Sequence, residues 1–505
     1  MHTLRLPLKT TAYDRQQMER RFHAVSHIHN VAVKQSVHLM QKLKFDTEYR
    51  SYLSEYTELL KKQKLSAGDK KRKTELSKQM LAIRRETGLT EYGLQSYIKP
   101  CAGQYRKLLS SQQVQKEISR VYRGVEKVLF GSGKQLHFKK YTDFDTISGK
   151  SSTNGVKFDR ETMSVEWLGL HMPCKLAKRA KDRDYVEESL AHDISYCEIK
   201  RMMFNSGWHY YVIICLKGDA PRKLKNTGSS LMGIDPGTSS FAGVSDTAVF
   251  LEELAPKAKE YDKRIYRLQQ QAERSRRAVN PGKYNSDGTV NKHNKDRWIY
   301  SNTYNKTRRK LKTLYRKKSA YIKQDHEQRC NRIMADSVHF LVERMSYHGL
   351  QKRAKETSRQ EKTTPVLLKD GSGREIHKYK RKKRFGRSLN SRAPALFLSI
   401  LKRKCIQYGG SYTEINTNTF KASRYNHVTD TYESIPLSQR NKQIGGHKVQ
   451  RDLYSAFLIK NADSSLKNAD RQLCISGFEK FAAMQDRLTA GMKEAGISMK
   501  QCFGF

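Results

Sequence analysis

The chain has 505 residues and carries 98 Lys and Arg against 50 Asp and Glu, a formal net charge of +48. Such a chain repels itself without a polyanion, so nucleic acid is the expected partner. No apolar run reaches the roughly 18 residues of a membrane span, and residues 1–15 lack the apolar core of a secretory signal, so neither a membrane protein nor a secreted one is expected.

Leu4, Leu6 and Leu8 alternate as in a strand. Over residues 13–128 the period becomes helical, with Met18, Phe22, Val25 and Ile28 on one stripe. Residues 61–85 are almost wholly polar and basic, and read either as a solvated helix pair or as a phosphate-contacting face. The pattern turns to β over residues 135–218. Residues 165–170 read as one strand. Residues 194–216 read as a hairpin that turns at Asn205-Ser206-Gly207 and returns through Trp208, Tyr210, Val212, Ile214 and Leu216. An early strand, then helices, then more strands predicts one β-domain interrupted by a helical insertion. Trp167, Trp208, Tyr210 and Tyr211 are able to stack on RNA bases, but their alternation favours a place in the β-domain core.

The next region opens with Leu231, Met232 and Ile234, an apolar run that ends on Asp235 between Gly233 and Gly237. A buried strand ending on a carboxylate with little bulk beside it suits a metal ion. Taken alone it also suits the phosphate-binding strand of sugar kinases and chaperone ATPases of the actin-like fold. That rival needs a second phosphate loop, and the one candidate, residues 369–373, has no strand before it. Residues 130–134 lack the upstream glycine and the following Ser or Thr of a P-loop. A helical stretch from Pro256 breaks near residues 280–282 and 286–288, resumes at Asn302 and is expected to run to about Val342. Its apolar stripe includes Leu311, Leu314, Ile322, Cys330, Ile333, Val338 and Leu341. Lys306, Arg308, Arg309, Lys310, Arg316 and Lys317 crowd the other faces too densely for solvation alone, and nucleic-acid contact is expected there. Residues 357–390 read as a mobile, low-complexity basic loop that orders on nucleic acid, with Lys380, Arg381, Lys382, Lys383 and Arg384 as its contacts. The eight cysteines contain no C-x-x-C pair, so reduced, mostly buried thiols are expected.

Two further acids sit in contexts like that of Asp235. Phe340-Leu341-Val342 ends on Glu343, and Asp452 opens a helix whose apolar face is Leu453, Ala456, Phe457 and Ile459. Taken singly, a Glu after a strand is usually a surface residue and an Asp at a helix start is usually an N-cap. Three carboxylates meeting from two strand ends and a helix repel one another unless divalent cations lie between them. Oxygen-only ligation is the preference of Mg²⁺ or Mn²⁺. Two such ions about 3.5–4 Å apart activate water and steady the leaving oxygen in phosphodiester hydrolysis.

The stretches Gly233–Gly237, Val342–Leu350 and Gln450–Ala456 resemble the three RuvC motifs of transposon-encoded TnpB nucleases and of their descendants, the miniature type V CRISPR effectors. Residues 301–306, with the basic helix after them, resemble the family segment between the first two motifs, which adds Asn302 and Tyr304 to the expected nucleic-acid contacts. Residues 200–216 resemble the strand pair that precedes the nuclease domain. The likeness covers residues 190–460 and extends over 1–190 by architecture. It implies a multidomain α+β fold. An oligonucleotide-binding-like β-barrel (1–10 and 135–225) takes an inserted helical recognition domain (11–134). An RNase H-like nuclease domain follows (226–407 and 448–480), with a basic helical insertion at 256–335 and the basic loop at 357–390. A target-loading subdomain (408–447) and a C-terminal tail (481–505) complete it.

The resemblance implies an RNA-guided DNA endonuclease that holds a guide RNA, recognises a short flanking motif in double-stranded target DNA and forms an RNA–DNA heteroduplex. Asp235, Glu343 and Asp452 become the catalytic ligands of two Mg²⁺ or Mn²⁺ ions. The expected setting is a prokaryotic cytoplasm, at the nucleoid when on target, as monomer or homodimer. One departure stands out: relatives commonly carry a four-cysteine zinc ribbon before the third motif, whereas residues 408–452 contain no cysteine. His427 and His447 alone make a poor zinc site, so no zinc is expected and the subdomain reads as reduced, with Arg424 as a nucleic-acid contact. Gln450 and Tyr454 stand where relatives often carry Asp and Asn. The alternatives are an inactive or weakly active RNA-guided DNA-binding protein, against which all three acids speak, and a DDE-type transposase or resolvase, which has no evident need for so long a basic front half.

Overall fold

The computed structural model describes residues 1–62, 65–131, 133–222, 226–351, 359–367, 373–379, 386–434, 436 and 439–497. They fall into two compact units, Met1–Pro221 and Arg222–Phe505.

In the first unit β1 (His2–Pro7) leads into α1 (Ala12–Phe45), α2 (Thr47–Lys61), α3 (Ala67–Glu86), α4 (Glu91–Gly103) and α5 (Ser111–Leu129). α1 starts at a capping box: Thr11 Oγ1 accepts from the Asp14 amide at 3.1 Å, and the Asp14 carboxylate accepts from the Thr11 amide at 2.8 Å. It buries the stripe Met18, Phe22, Val25 and Ile28. The strands β2 (Thr146–Ser148), β3 (Val156–Asp159), β4 (Ser164–Trp167) and β5 (Leu170–Pro173) follow, then α6 (Ala180–Leu190), β6 (Ile194–Phe204) and β7 (Gly207–Leu216). β1 runs antiparallel to β7, Leu4 opposite Ile214 and Leu6 opposite Val212, in a sheet ordered β1-β7-β6-β2. Helices α1 to α5 are thus inserted between two strands of one sheet.

The single strand expected at residues 165–170 is instead two, β4 and β5, with Trp167 opposite Leu170. Leu168 and Gly169 both take positive φ, 47° and 83°, the geometry of a two-residue hairpin turn that follows strand twist. The apolar alternation runs across the turn, and only the glycine marks it.

Of the aromatic side chains expected in the β-domain core, none is exposed, and Tyr211 is half-buried. Trp167 is fully buried and Tyr210 nearly so. Trp208 lies half-buried under the Arg201 guanidinium, 4.2 Å from its carbon. Arg201 itself has no exposure; it donates to both carboxylate oxygens of Glu19 at 2.8 Å and to the Phe144 carbonyl at 2.8 Å. A charge so deep is tolerated because every direction holds a partner.

The second unit begins with β8 (Ser230–Pro236), β9 (Ser240–Val244) and β10 (Val249–Glu253), then α7 (Ala258–Ala278), α8 (Asn302–Asp336) and β11 (Ser337–Glu343). After α9 (Tyr347–Gln351) come β12 (Arg359–Leu367), β13 (Gly373–Tyr379), α10 (Gly386–Arg392), α11 (Pro394–Gln407) and β14 (Tyr412–Ile415). The short pieces α12 (Thr417–Phe420), β15 (Tyr425–Asn426), β16 (Thr431–Tyr432), β17 (Asn441–Ile444) and β18 (His447–Gln450) precede α13 (Arg451–Lys460) and α14 (Arg471–Glu494). The main sheet is ordered β10-β9-β8-β11-β14. β9 runs antiparallel to both of its neighbours, β10 and β8, while β8, β11 and β14 run parallel.

Two expectations are corrected here. The long helix ends at Asp336, not near Val342, and Val338 and Leu341 belong to β11. Their spacing suits either period, and pairing with β8 and β14 decides for the strand. Within residues 357–390 the described stretches have regular structure: β12 and β13 pair antiparallel, and α10 begins at Gly386. Lys380, Arg381, Lys382, Lys383 and Arg384 lie outside the described residues. Among the described residues no helix is long and apolar enough to cross a membrane.

Candidate active site

Because β8 and β11 are parallel with Ile234 opposite Val342, the next residue of each strand, Asp235 and Glu343, stands beside the other at the C-terminal edge of the sheet, still paired with Ala242 of β9 and Ile415 of β14. Asp452 arrives from α13, which packs directly on β8. The approach is close: a Cβ on Gly233 would lie 2.2 Å from the Ala456 carbonyl oxygen and 2.3 Å from the Lys460 amide. Glycine at this position lets the helix touch the strand backbone. Gln450 caps α13, its side-chain oxygen accepting from the Leu453 amide at 2.7 Å. Asp452 is therefore not the N-cap, the usual duty of an Asp at this place, and its carboxylate is left for the cleft.

The three acids line one cleft of about 530 Å³ together with Arg424, Arg440 and Arg451. Asp452 is already engaged: Arg451 reaches it at 3.4 Å, Arg440 at 3.6 Å and the Gln450 amide at 3.3 Å. Asp235 and Glu343 hydrogen-bond one another. Desolvation, then the charges of Glu343 and Asp452, push the Asp235 carboxyl well above the usual carboxylate range. Desolvation likewise raises Glu343, against hydrogen bonds from Asp235 and Thr417 that lower it. Two sunken carboxyls that cannot both ionise must share a proton or a cation. Tyr347, on α9 just after Glu343, borders them. Its hydroxyl donates to the Gly237 carbonyl at 3.4 Å, and burial, then Asp235, raises its pKa.

The donor set suits a hard divalent cation, since the acids offer only oxygen. Among the described residues no three His, Cys, Asp or Glu side chains meet closely enough to enclose an ion as they stand. Asp235 and Glu343 fit as a pair. Asp452 borders the same cleft and has to leave its arginines to join them.

Of the expected nucleic-acid contacts on α8, Asn302, Lys306, Arg308, Arg309, Lys310 and Lys317 are exposed, while Tyr304 and Arg316 are half-buried. Arg424 is exposed and opens onto the cleft. Sequence reasoning missed Arg440, Arg451 and Tyr347. The two arginines precede or adjoin Asp452, yet nothing distinguishes them in so basic a chain.

Around His427, in the stretch without cysteines before Asp452, the chain packs rings. His427 is 1% exposed, its Nδ1 lies 2.8 Å from the Tyr454 hydroxyl, and its ring is 4.7 Å from that of Phe478. Arg471 donates to the His427 and Val428 carbonyls at 2.9 and 3.0 Å. Tyr454 is thereby accounted for: its hydroxyl also accepts from the His427 amide at 3.2 Å.

No family model matches the chain, and no curated protein matches it. Two solved structures align along most of it. The Cas12f1–sgRNA–target DNA complex covers 91% of this chain and 98% of its own, at 11% identity and a TM-score of 0.44. The CRISPR-Cas12f ternary complex covers 91% and 99%, at 11% identity and a TM-score of 0.24.

Proposed function

We propose that the protein is an RNA-guided DNA endonuclease that cuts phosphodiesters at the Asp235–Glu343–Asp452 cleft. One observation carries this reading: two carboxylates stand side by side at the C-terminal ends of adjacent parallel strands, and a third enters the same cleft from a helix. The five-stranded sheet, three strands antiparallel and the remainder parallel, supports an RNase H-like arrangement, and the insertion of α1 to α5 into a sheet supports a β-domain with a helical recognition insert. The three motifs that resemble those of RuvC nucleases occupy the three positions where the acids converge. A net charge of +48 suits the roughly 40 phosphates of a 20-bp guide–target heteroduplex.

In this reading Asp235 and Glu343 hold Mg²⁺ or Mn²⁺, with Asp452 completing the set, and zinc has no part. When bound, such ions supply an activated water and neutralise charge on the leaving oxygen. The protein's own part is to hold and orient. Arg424, Arg440 and Arg451 offer charge-assisted donors to a phosphate that enters the cleft. That phosphate competes with Asp452 for Arg440 and Arg451, so substrate entry frees the third carboxylate. Tyr347 and the packed sheet keep bulk water from one side of the Asp235–Glu343 pair.

The pairing of Asp452 with Arg440 and Arg451 also favours a second reading, a guide-RNA-loaded DNA binder with weak cleavage. Both readings meet one experiment: the protein, purified with its bound RNA, is given a plasmid matching that RNA and Mg²⁺. A nuclease cuts it, and Asp235→Ala lowers the rate by about 10³-fold or more, the scale of several kcal/mol of lost charge stabilisation. Gel-shift binding without cutting selects the second reading. Undiminished cutting by Asp235→Ala rejects the site.

A further inference from the structure

The α7–α8 hairpin carries, at its far end, a feature that the cleft does not use. The segment between Ala278 and Asn302 is pinned in place. Asn280 is buried, its amide donates to the Arg276 and Ile299 carbonyls at 2.8 Å each, and its oxygen accepts from the Ile299 amide at 2.8 Å. Lys283, also buried, donates to the carbonyls of Asn294, at 3.0 Å, and Asp296. Trp298 lies 4.8 Å from the Arg276 guanidinium and edge-on to Tyr284. These contacts fix the chain just before Tyr300, whose ring stacks on Tyr304 at 4.7 Å and 20°. Ser301 caps α8, accepting from the Tyr304 amide at 3.0 Å, and bonds Ser275 at 2.8 Å.

A segment held this firmly nevertheless leaves Ile299 63% and Tyr300 40% exposed. Beside the stack a groove of about 390 Å³ opens between α7 and α8, bordered by Gln269, Gln270, Tyr304, Arg308 and Tyr315. Lys306, Arg308 and Arg309 stand exposed on the same turns of α8.

We propose that this end of the hairpin is a base-stacking site for an unpaired stretch of the guide RNA. One base lies on the Tyr300–Tyr304 stack, the Gln269 and Gln270 amides meet a base edge in the groove, and Arg308, Lys306 and Arg309 take the phosphates. The inference rests on the guide-RNA reading above. Rigid exposed aromatics set among cations are the chemistry that holds single strands, because every base has a face to stack and a continuous duplex hides its own. Position argues for the guide and against the strand being cut. α8 has 35 residues, so about 50 Å of helix at 1.5 Å per residue separates the stack from β11 and its Glu343.

The test uses the full chain with two labelled probes, a uridine and a thymidine oligonucleotide of about 20 nucleotides, and with the RNA that co-purifies. Tyr300→Ala weakens uridine and co-purified RNA binding about ten-fold, the scale of one stacked base, whereas Tyr300→Phe keeps it. Ultraviolet crosslinking places a ribonucleotide on the peptide holding Tyr300 and Tyr304. Unchanged RNA affinity in Tyr300→Ala overturns the proposal, as does a loss confined to thymidine DNA or an equal loss in Tyr300→Phe. Tyr300 is exposed, so its substitution leaves the fold intact even if Tyr304→Ala does not. Asp235→Asn separates the two readings: it abolishes cutting and keeps RNA affinity. A wild-type protein that never cuts, but loses RNA on Tyr300→Ala, retains this site and loses the nuclease.

Discussion

His427 is, at the scale of one side chain, a titratable group whose charge is set by burial. Its ring is sealed among Tyr454, Phe457 and Phe478. Burial, and after it the Arg471 charge, lowers its pKa from 6.5 to about 4. Lys442, 5.6 Å from the Tyr454 ring, adds a second cation, with its own pKa lowered by burial to about 8. The sign of the linkage is fixed. The folded chain prefers neutral imidazole, so His427 contributes stability above pH 6.5 that is lost as the pH falls to about 4. His427→Phe keeps a ring in the cluster and removes the proton. Melting temperatures taken between pH 7 and pH 4 are therefore expected to fall less in the variant than in the wild type, by about 3 °C for each kcal/mol of linkage removed. Parallel curves for the two proteins would mean that His427 titrates as it does in water. Because other groups titrate identically in both proteins, only the difference between the curves is diagnostic.

At the scale of elements, the cleft depends on α13 lying directly on β8. Gly233 permits it, since any Cβ there would sit within 2.3 Å of two α13 backbone atoms, which unlike a side-chain end cannot rotate away. Gly233→Ala is expected to lift α13 and draw Asp452 away from Asp235 and Glu343. Overpacking of this kind costs about 1–3 kcal/mol or more, so a lower melting temperature should accompany a loss of cutting approaching that of Asp235→Ala. A variant that melts earlier but cuts normally would show that Asp452 need not be placed so closely. The sequence displayed the acids and the glycine but not this reason for the glycine, because a helix backbone against a strand leaves no trace in local periodicity. The hairpin at Asn205-Ser206 was legible, since its turn residues interrupt two long alternating runs. The β4–β5 turn was not, because Leu168 and Leu170 continue the apolar pattern through it. The boundary between α8 and β11 was hidden for a related reason: Ile333, Val338 and Leu341 satisfy a helical spacing, and only the pairing of β11 with β8 and β14 excludes it. Arg440 and Arg451 were invisible as site residues because basic side chains are everywhere in this chain, and what singles them out is their distance to Asp452.

For the whole molecule, charge was the most legible property and its arrangement the least. The excess of 98 basic over 50 acidic side chains predicts a polyanion without saying where it lies. Both units contribute to it: α3 in the first presents Lys70, Lys71 and Arg72 outside the core, and α8 in the second presents Lys306, Arg308, Arg309 and Lys310. A surface of this kind binds largely by releasing the counterions condensed on nucleic acid, so affinity must fall steeply with salt. If six to ten phosphates are neutralised, binding of the co-purified RNA weakens by about 10³–10⁵ between 50 and 200 mM salt. Lys317→Ala, on an exposed part of α8, is then expected to lower the slope of log affinity against log salt by about one, and to do so for any RNA sequence. Tyr300→Ala should lower affinity at every salt concentration and leave the slope alone, because stacking releases no ions. A wild-type slope near zero would mean that the charge serves something other than phosphate neutralisation. Equal slope changes for Lys317→Ala and Tyr300→Ala would mean that the two positions do not divide into an ionic contact and a stacking one.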